Sequence, residues 1–168
     1  MPTLSLNTVK TMNPHDTRKI VVVEDHQLVG EFYPHIFKEF QTSFPFPLEV
    51  VAMLRTEKEA VDFVEKNSEI DLLLMDLYLS QNEHVDGPEG LRIARKLLKE
   101  VNPALNIMFV TQSVEGCWIY QAYNLGVKGY IAKHSPAEEL VQAIVTVLSG
   151  GLYYRGKVRD KMDDYRAI

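Results

Sequence analysis

Five short apolar runs, each followed by a segment with helical spacing, constrain this chain more than any other feature of its sequence. The runs are KIVVVE (19–24), LEVVAML (48–54), DLLLM (71–75), NIMFVT (106–111) and GYIAK (129–133). Runs that are apolar at nearly every position suit strands buried on both faces. Such strands, separated by helices, build a parallel sheet covered on two sides. The intervening segments supply the helices. QLVGEFYPHIFKEF (27–40) has Leu28, Phe32, Ile36 and Phe40 four apart, an amphipathic spacing, with Pro34 inside it as an expected bend or break. TEKEAVDFVEKN (56–67) opens with Thr56 and Glu59 as a capping box. Helices are also predicted over 91–101, ended by Pro103, and over roughly 113–124. Over 136–149, Ser135, Pro136 and Glu138 read as N-cap, first-turn proline and capping-box partner, and Gly150 and Gly151 close the helix.

The expected architecture is therefore one doubly wound α/β domain over 19–150. It is preceded by a flexible segment, 1–18, and followed by a charged tail or linker start, 151–168. In such folds ligands sit at the carboxyl ends of the strands. The first strand ends in Glu24 and Asp25, the third in Asp76, the fourth in Thr111 and the fifth in Lys133. Three carboxylates brought together repel one another unless a cation neutralises them. Oxygen donors without His or Cys favour a hard cation, most simply Mg²⁺. Lys133 and Thr111 would then face an anion, and a phosphoryl group on Asp76 fits that set.

Composition narrows the classes further. A net charge of -5 argues against a general nucleic-acid-binding surface. One cysteine, Cys117, rules out an internal disulfide framework and any zinc site built from cysteines. No apolar run is long enough for a membrane span, and the N-terminus has no signal-peptide core, so a cytoplasmic location is expected. His15, His26, His35, His84 and His134 show no metal-ligand spacing. Trp118, Tyr120 and Tyr123 cannot all face inward from one helix, which leaves aromatic surface suited to a partner.

The segments VVVEDHQLV, LLLMDLYL, MFVTQS and GYIAKHSP resemble the signature segments of the response regulator receiver domain, over about 19–150. EDHQLV, GVKGYIAKHSPAEELVQAI and GGLYY are similar to its NarL/FixJ subfamily, whose receivers precede a helix-turn-helix output domain. The resemblance implies a flavodoxin-like five-stranded sheet in the order 2-1-3-4-5. It implies that Asp76 accepts phosphate from a sensor histidine kinase or phosphotransfer protein, with Mg²⁺ held by Asp25, Asp76, the backbone carbonyl of Tyr78 and, through water, Glu24. Thr111 and Tyr130 would be the switch pair and Lys133 the phosphate-contacting lysine. Dimerisation on phosphorylation is a further implication. The chain would be a switch with self-catalysed phosphotransfer and autodephosphorylation rather than a metabolic enzyme. It would control transcription through an output domain beyond this chain or through a partner.

Three departures stand out: a longer loop after Asp76 with Ser80 in place of a proline, Gln112 after the switch threonine, and His134 after Lys133. They bear on phosphoryl lifetime and loop geometry. One alternative is a degenerate receiver that binds partners without phosphate. A haloacid-dehalogenase-type phosphatase would need a second acid two residues beyond Asp76, where Tyr78 stands.

Overall fold

A computed structural model of the chain describes residue 13, residues 15–79 and residues 87–168. The loop expected to be lengthened, with Ser80 and His84, lies outside the described residues, as does most of segment 1–18. Five parallel strands form one sheet in the order β2-β1-β3-β4-β5. They are β1 (Arg18–Val23), β2 (Leu48–Leu54), β3 (Leu72–Met75), β4 (Ile107–Thr111) and β5 (Gly129–Ala132). The helices are α1 (Gln27–Glu39), α2 (Glu57–Lys66), α3 (Glu89–Lys96), α4 (Gly116–Leu125), α5 (Ala137–Leu148) and α6 (Lys157–Arg166). A wide π-type turn, Leu97–Val101, continues α3. Among the described residues no helix is long and apolar enough to cross a membrane.

Successive side chains of a strand point to opposite faces, so each uninterrupted apolar run serves two cores. Val21, Val23, Leu73, Met75, Ile107, Phe109 and Tyr130 face one side, packed with Ala60, Val64, Leu91, Ile93, Ile119 and Ala122 of α2, α3 and α4. Ile20, Val22, Leu72, Leu74, Met108, Val110 and Ile131 face the other, against Tyr33, Ile36 and Phe37 of α1 and Leu140, Ile144 and Val147 of α5. Full burial of one such side chain is worth about 1.5–3 kcal/mol, and β3, with all four residues buried, is the centre of the sheet. β2 is an edge strand whose residues alternate between partly buried and exposed.

Several local expectations change. α1 turns a different face inward: Gly30, Tyr33, Ile36 and Phe37 are buried, while Leu28 is 83% and Phe32 54% exposed. The helix is not broken at Pro34. Thr56 does cap α2, accepting from the Glu59 amide at 3.2 Å, but the Glu59 carboxylate reaches past it to the Arg55 amide at 2.7 Å. Ser135 does not cap α5. Pro136, extended at φ -56 and ψ 149, is the N-cap residue and no side chain caps the helix. α3 starts at Glu89, two residues early, and α4 at Gly116, three residues late, leaving 113–115 as a loop.

The largest difference lies in 151–168. This segment, expected as a charged tail or linker start, carries a docked helix, α6, with Val158 and Met162 buried. Before it, Tyr153 pairs with Gly129 at the free edge of β5.

Candidate functional site

The sheet register sets the site. Val23 lies beside Met75, and the Asp76 amide donates to the Val23 carbonyl at 3.2 Å, so Glu24 and Asp76 leave their strands side by side. Thr111 lies beside Ala132, and the Lys133 amide donates to the Thr111 carbonyl at 2.8 Å. Strand ends that read separately in the sequence thereby form one rim.

At that rim Lys133 Nζ is 2.7 Å from Asp76 Oδ2 and 2.9 Å from Glu24 Oε2. Burial pulls the Lys133 ammonium down, but its hydrogen bonds to Asp76 and Glu24 outweigh this, and its pKa ends above the usual lysine value. Asp76 is 7% exposed and Glu24 5%, so their shared cation replaces much of the solvation that burial removes. The second Asp76 oxygen accepts the Tyr78 amide at 3.3 Å. Thr111 is buried, and its hydroxyl oxygen accepts the Ser113 amide at 3.4 Å.

Asp25 lies at the mouth, its carboxylate about a quarter exposed. Its buried Oδ1 accepts no hydrogen bond, although His26 Nδ1 is 3.1 Å away. The same ring nitrogen is 3.2 Å from Glu24 Oε1. Among the described residues, Glu24, Asp25 and His26 have ligand atoms close enough together to hold a metal ion. Asp76 is tied to Glu24 through Lys133 rather than belonging to that trio. An oxygen-rich pocket with an unpartnered buried carboxylate oxygen fits a hard divalent cation.

Tyr130 is fully buried and donates its hydroxyl to the Ser113 carbonyl at 2.6 Å, its ring edge-on to Phe109 at 6.0 Å. Burial, reinforced by the negative groups around it, drives its phenol well above the ordinary tyrosine value. Tyr130, implied as half of the switch pair, thus points inward in this structure. The aromatic surface expected on α4 is partly covered: Tyr120 lies 5.6 Å from Tyr165 of α6, while Tyr123, 5.2 Å from Tyr154, stays 36% exposed.

Three contributors carry no sequence signal of a site. His26 matters through its position beside two carboxylates, not through ligand spacing. Ser113 contributes a backbone carbonyl, which any residue offers. Gly90 brings α3 against the back of the Asp76 loop: its amide donates to the Leu77 carbonyl at 2.8 Å, and a Cβ there would fall 2.3 Å from the Asp76 carbonyl oxygen. Glu89 adds a contact by accepting the Leu79 amide at 3.3 Å.

The sequence profile of the response regulator receiver domain matches residues 20–145. The oxygen regulatory protein NreC of Staphylococcus haemolyticus is 32% identical over 135 residues, which cover 80% of this chain and 57% of that protein. The transcriptional regulatory protein DesR of Bacillus subtilis is 32% identical over 115 residues, 68% of this chain and 53% of that one. The chain thus spans little more than half the length of these curated relatives. Among solved structures, a LuxR-family two-component response regulator from Aurantimonas sp. SI85-9A1 superposes with a TM-score of 0.74 at 25% identity, covering 91% of this chain and all of that one. The isolated receiver domain of RcsB from Salmonella enterica, in the presence of a phosphomimetic, shares the fold at a TM-score of 0.71 and 16% identity, covering 88% of this chain and 99% of that one.

Proposed function

The chain belongs to the response regulator receiver domain family, and from that premise we propose that it is a phosphorylation-controlled switch with Asp76 as the phosphoacceptor. The observation that carries this reading is the ion-paired trio at the sheet rim: Lys133 bridges Asp76 and Glu24 within 2.9 Å, with Thr111 on the neighbouring strand. Attack by an Asp76 oxygen on a phosphohistidine forms a P–O bond as the donor P–N bond breaks. Such transfer asks the protein mainly for alignment and charge neutralisation. Lys133 already holds the attacking carboxylate in place, and it can follow the negative charge as that moves onto the phosphoryl oxygens. The buried Thr111 hydroxyl is free to donate to one of those oxygens while still accepting from Ser113. Asp25, Asp76 and the Tyr78 carbonyl, with Glu24 through water, are the residues that would hold Mg²⁺, which supplies further neutralisation when bound.

The partner on the donor side is a sensor histidine kinase or a phosphotransfer protein. On the output side, the regulatory roles of these relatives support control of transcription, through a domain beyond these residues or a separate protein, with dimerisation of the phosphorylated form. Asp76→Asn tests the acceptor. Acetyl phosphate with Mg²⁺ should add one phosphoryl group to the parent protein by intact mass and none to the variant, with circular dichroism unchanged. Labelling of the variant on an aspartate would place the acceptor elsewhere. A parent protein that takes up neither acetyl phosphate nor beryllofluoride would be a phosphate-independent binding module.

A further inference from the structure

Residues 152–166 lie across β5 and α4, where they meet the groups that connect Asp76 to the surface. The Tyr130 amide donates to the Tyr153 carbonyl at 3.0 Å, and the Tyr153 amide donates to the Lys128 carbonyl at 2.9 Å. The Tyr154 hydroxyl donates to the Val127 carbonyl at 2.6 Å. Val158 and Met162 of α6 are buried in the same cluster as Ile119, Ala122 and Tyr130. The tightest approach is at Gly116, the first residue of α4, where a Cβ would stand 2.3 Å from the Lys161 carbonyl oxygen and 2.9 Å from Tyr165 Cβ. The loop before α4 is therefore held from two sides. Tyr130 grips it from the sheet through the Ser113 carbonyl, and α6 grips it from outside through Gly116.

We propose that α6 is a built-in positive effector of the Asp76 site: its docking and phosphorylation at Asp76 strengthen each other through the Ser113–Gly116 loop. The inference rests on the receiver reading. While α6 is docked, Tyr130 is fully buried and the Ser113 amide stays against the Thr111 hydroxyl, the arrangement in which Thr111 and Lys133 can close on a phosphoryl group. With no room for even a methyl group between Gly116 and the Lys161 carbonyl, displacement of the first turn of α4 toward α6 must carry α6 with it. Close-packed contacts of this kind switch between discrete arrangements rather than deforming smoothly. Coupling of two binding events is reciprocal, so whatever factor α6 contributes to the site, the occupied site returns to α6.

Trypsin reads the docking, because cleavage after Lys157, Arg159 and Lys161, all inside α6, requires the helix to open locally. Trp118, the only tryptophan in the chain and a residue of α4, reads occupancy of the site by beryllofluoride with Mg²⁺. On the full chain, saturating analogue should slow cleavage within α6 roughly fivefold or more. Gly116→Ala, whose methyl group does not fit against the Lys161 carbonyl, should speed that cleavage and weaken analogue binding by up to the factor by which the analogue slows cleavage in the parent. Tyr165→Ala, which removes only the partly exposed ring against Tyr120, should shift both in the same direction by less, and it serves if Gly116→Ala does not fold. If the analogue saturates Trp118 while cleavage of α6 is unchanged, or if a variant frees α6 with analogue affinity intact, the inference is overturned and the receiver reading stands. If the analogue does not bind the parent protein at all, both fall.

Discussion

Lys133→Met removes the cation between two buried carboxylates and leaves the rest of the rim in place. In the parent protein Lys133 Nζ is within 2.9 Å of both Asp76 and Glu24, which are 7% and 5% exposed. At an effective dielectric of about 20, each contact is worth on the order of 5 kcal/mol before desolvation is subtracted. Removing one partner of a fully buried pair costs about 3–5 kcal/mol net, because the remaining charge is stranded. Here the lysine side chain is 16% exposed, so water can reach the vacated space and the low end, about 3 kcal/mol, applies. For a chain of this size that lowers Tm by about 6–12 °C. The assay is thermal melting by circular dichroism, with EDTA and then with Mg²⁺. In EDTA the variant should melt well below the parent, and Mg²⁺ should raise its Tm more than the parent's, since a divalent cation then meets two carboxylates no longer neutralised. Adding Glu24→Gln should cost less in the Lys133→Met background than alone, since it then removes the repulsion between two carboxylates that no longer share a cation. A variant that melts with the parent in EDTA would refute the reasoning, because the two acids would then not depend on a shared cation.

Alkaline pH should destabilise the protein steeply. Burial, the first cause in each case, raises the phenols of Tyr33, Tyr130 and Tyr154 far above the usual value of about 10. Above that pH the unfolded chain loses protons that the folded chain keeps, so stability is intact below about pH 10 and falls beyond it. The slope is about 1.4 kcal/mol per pH unit for each group. Lys133, also raised, acts in the same direction. Urea midpoints across this range check it, and Tyr154→Phe should make the slope shallower; an unchanged slope would mean that this phenol ionises freely in the fold. Gly90→Ala should cost about 3 kcal/mol or prevent folding, because its Cβ meets backbone, 2.3 Å from the Asp76 carbonyl oxygen and 2.8 Å from Leu77 Cα. Chemical denaturation measures this, and parent-like stability would contradict the close approach.

The strands and their ends were legible because a continuous apolar run such as LLLM has few other uses. The acid or hydroxyl after it then falls at the carboxyl rim by topology alone. Helix faces were less legible. In α1, Leu28, Phe32, Ile36 and Phe40 make one regular row, and Tyr33, Ile36 and Phe37 make a competing one. The row that fits the sheet won, at the expense of Leu28 and Phe32. The cap of α5 failed as a reading because the extended Pro136 occupies the N-cap position that Ser135 seemed to hold. α6 was hidden by its charge: KVRDKMDDYR has only Val158 and Met162, four apart, to show a buried stripe. His26, Gly90 and Ser113 act through backbone position and proximity, which residue type does not encode.

The pairing of Tyr153 with Gly129 has a practical consequence for the sheet. It occupies amide and carbonyl groups on the outer side of β5 that would otherwise be open to another chain. Unpaired strand borders recruit foreign strands and seed aggregates. A version cut back to Gly151 would expose that border together with the apolar residues under α6. It would be expected to self-associate at concentrations where the longer chain stays dispersed, so shortening this protein to the receiver core alone would trade a few residues for a sticky flank.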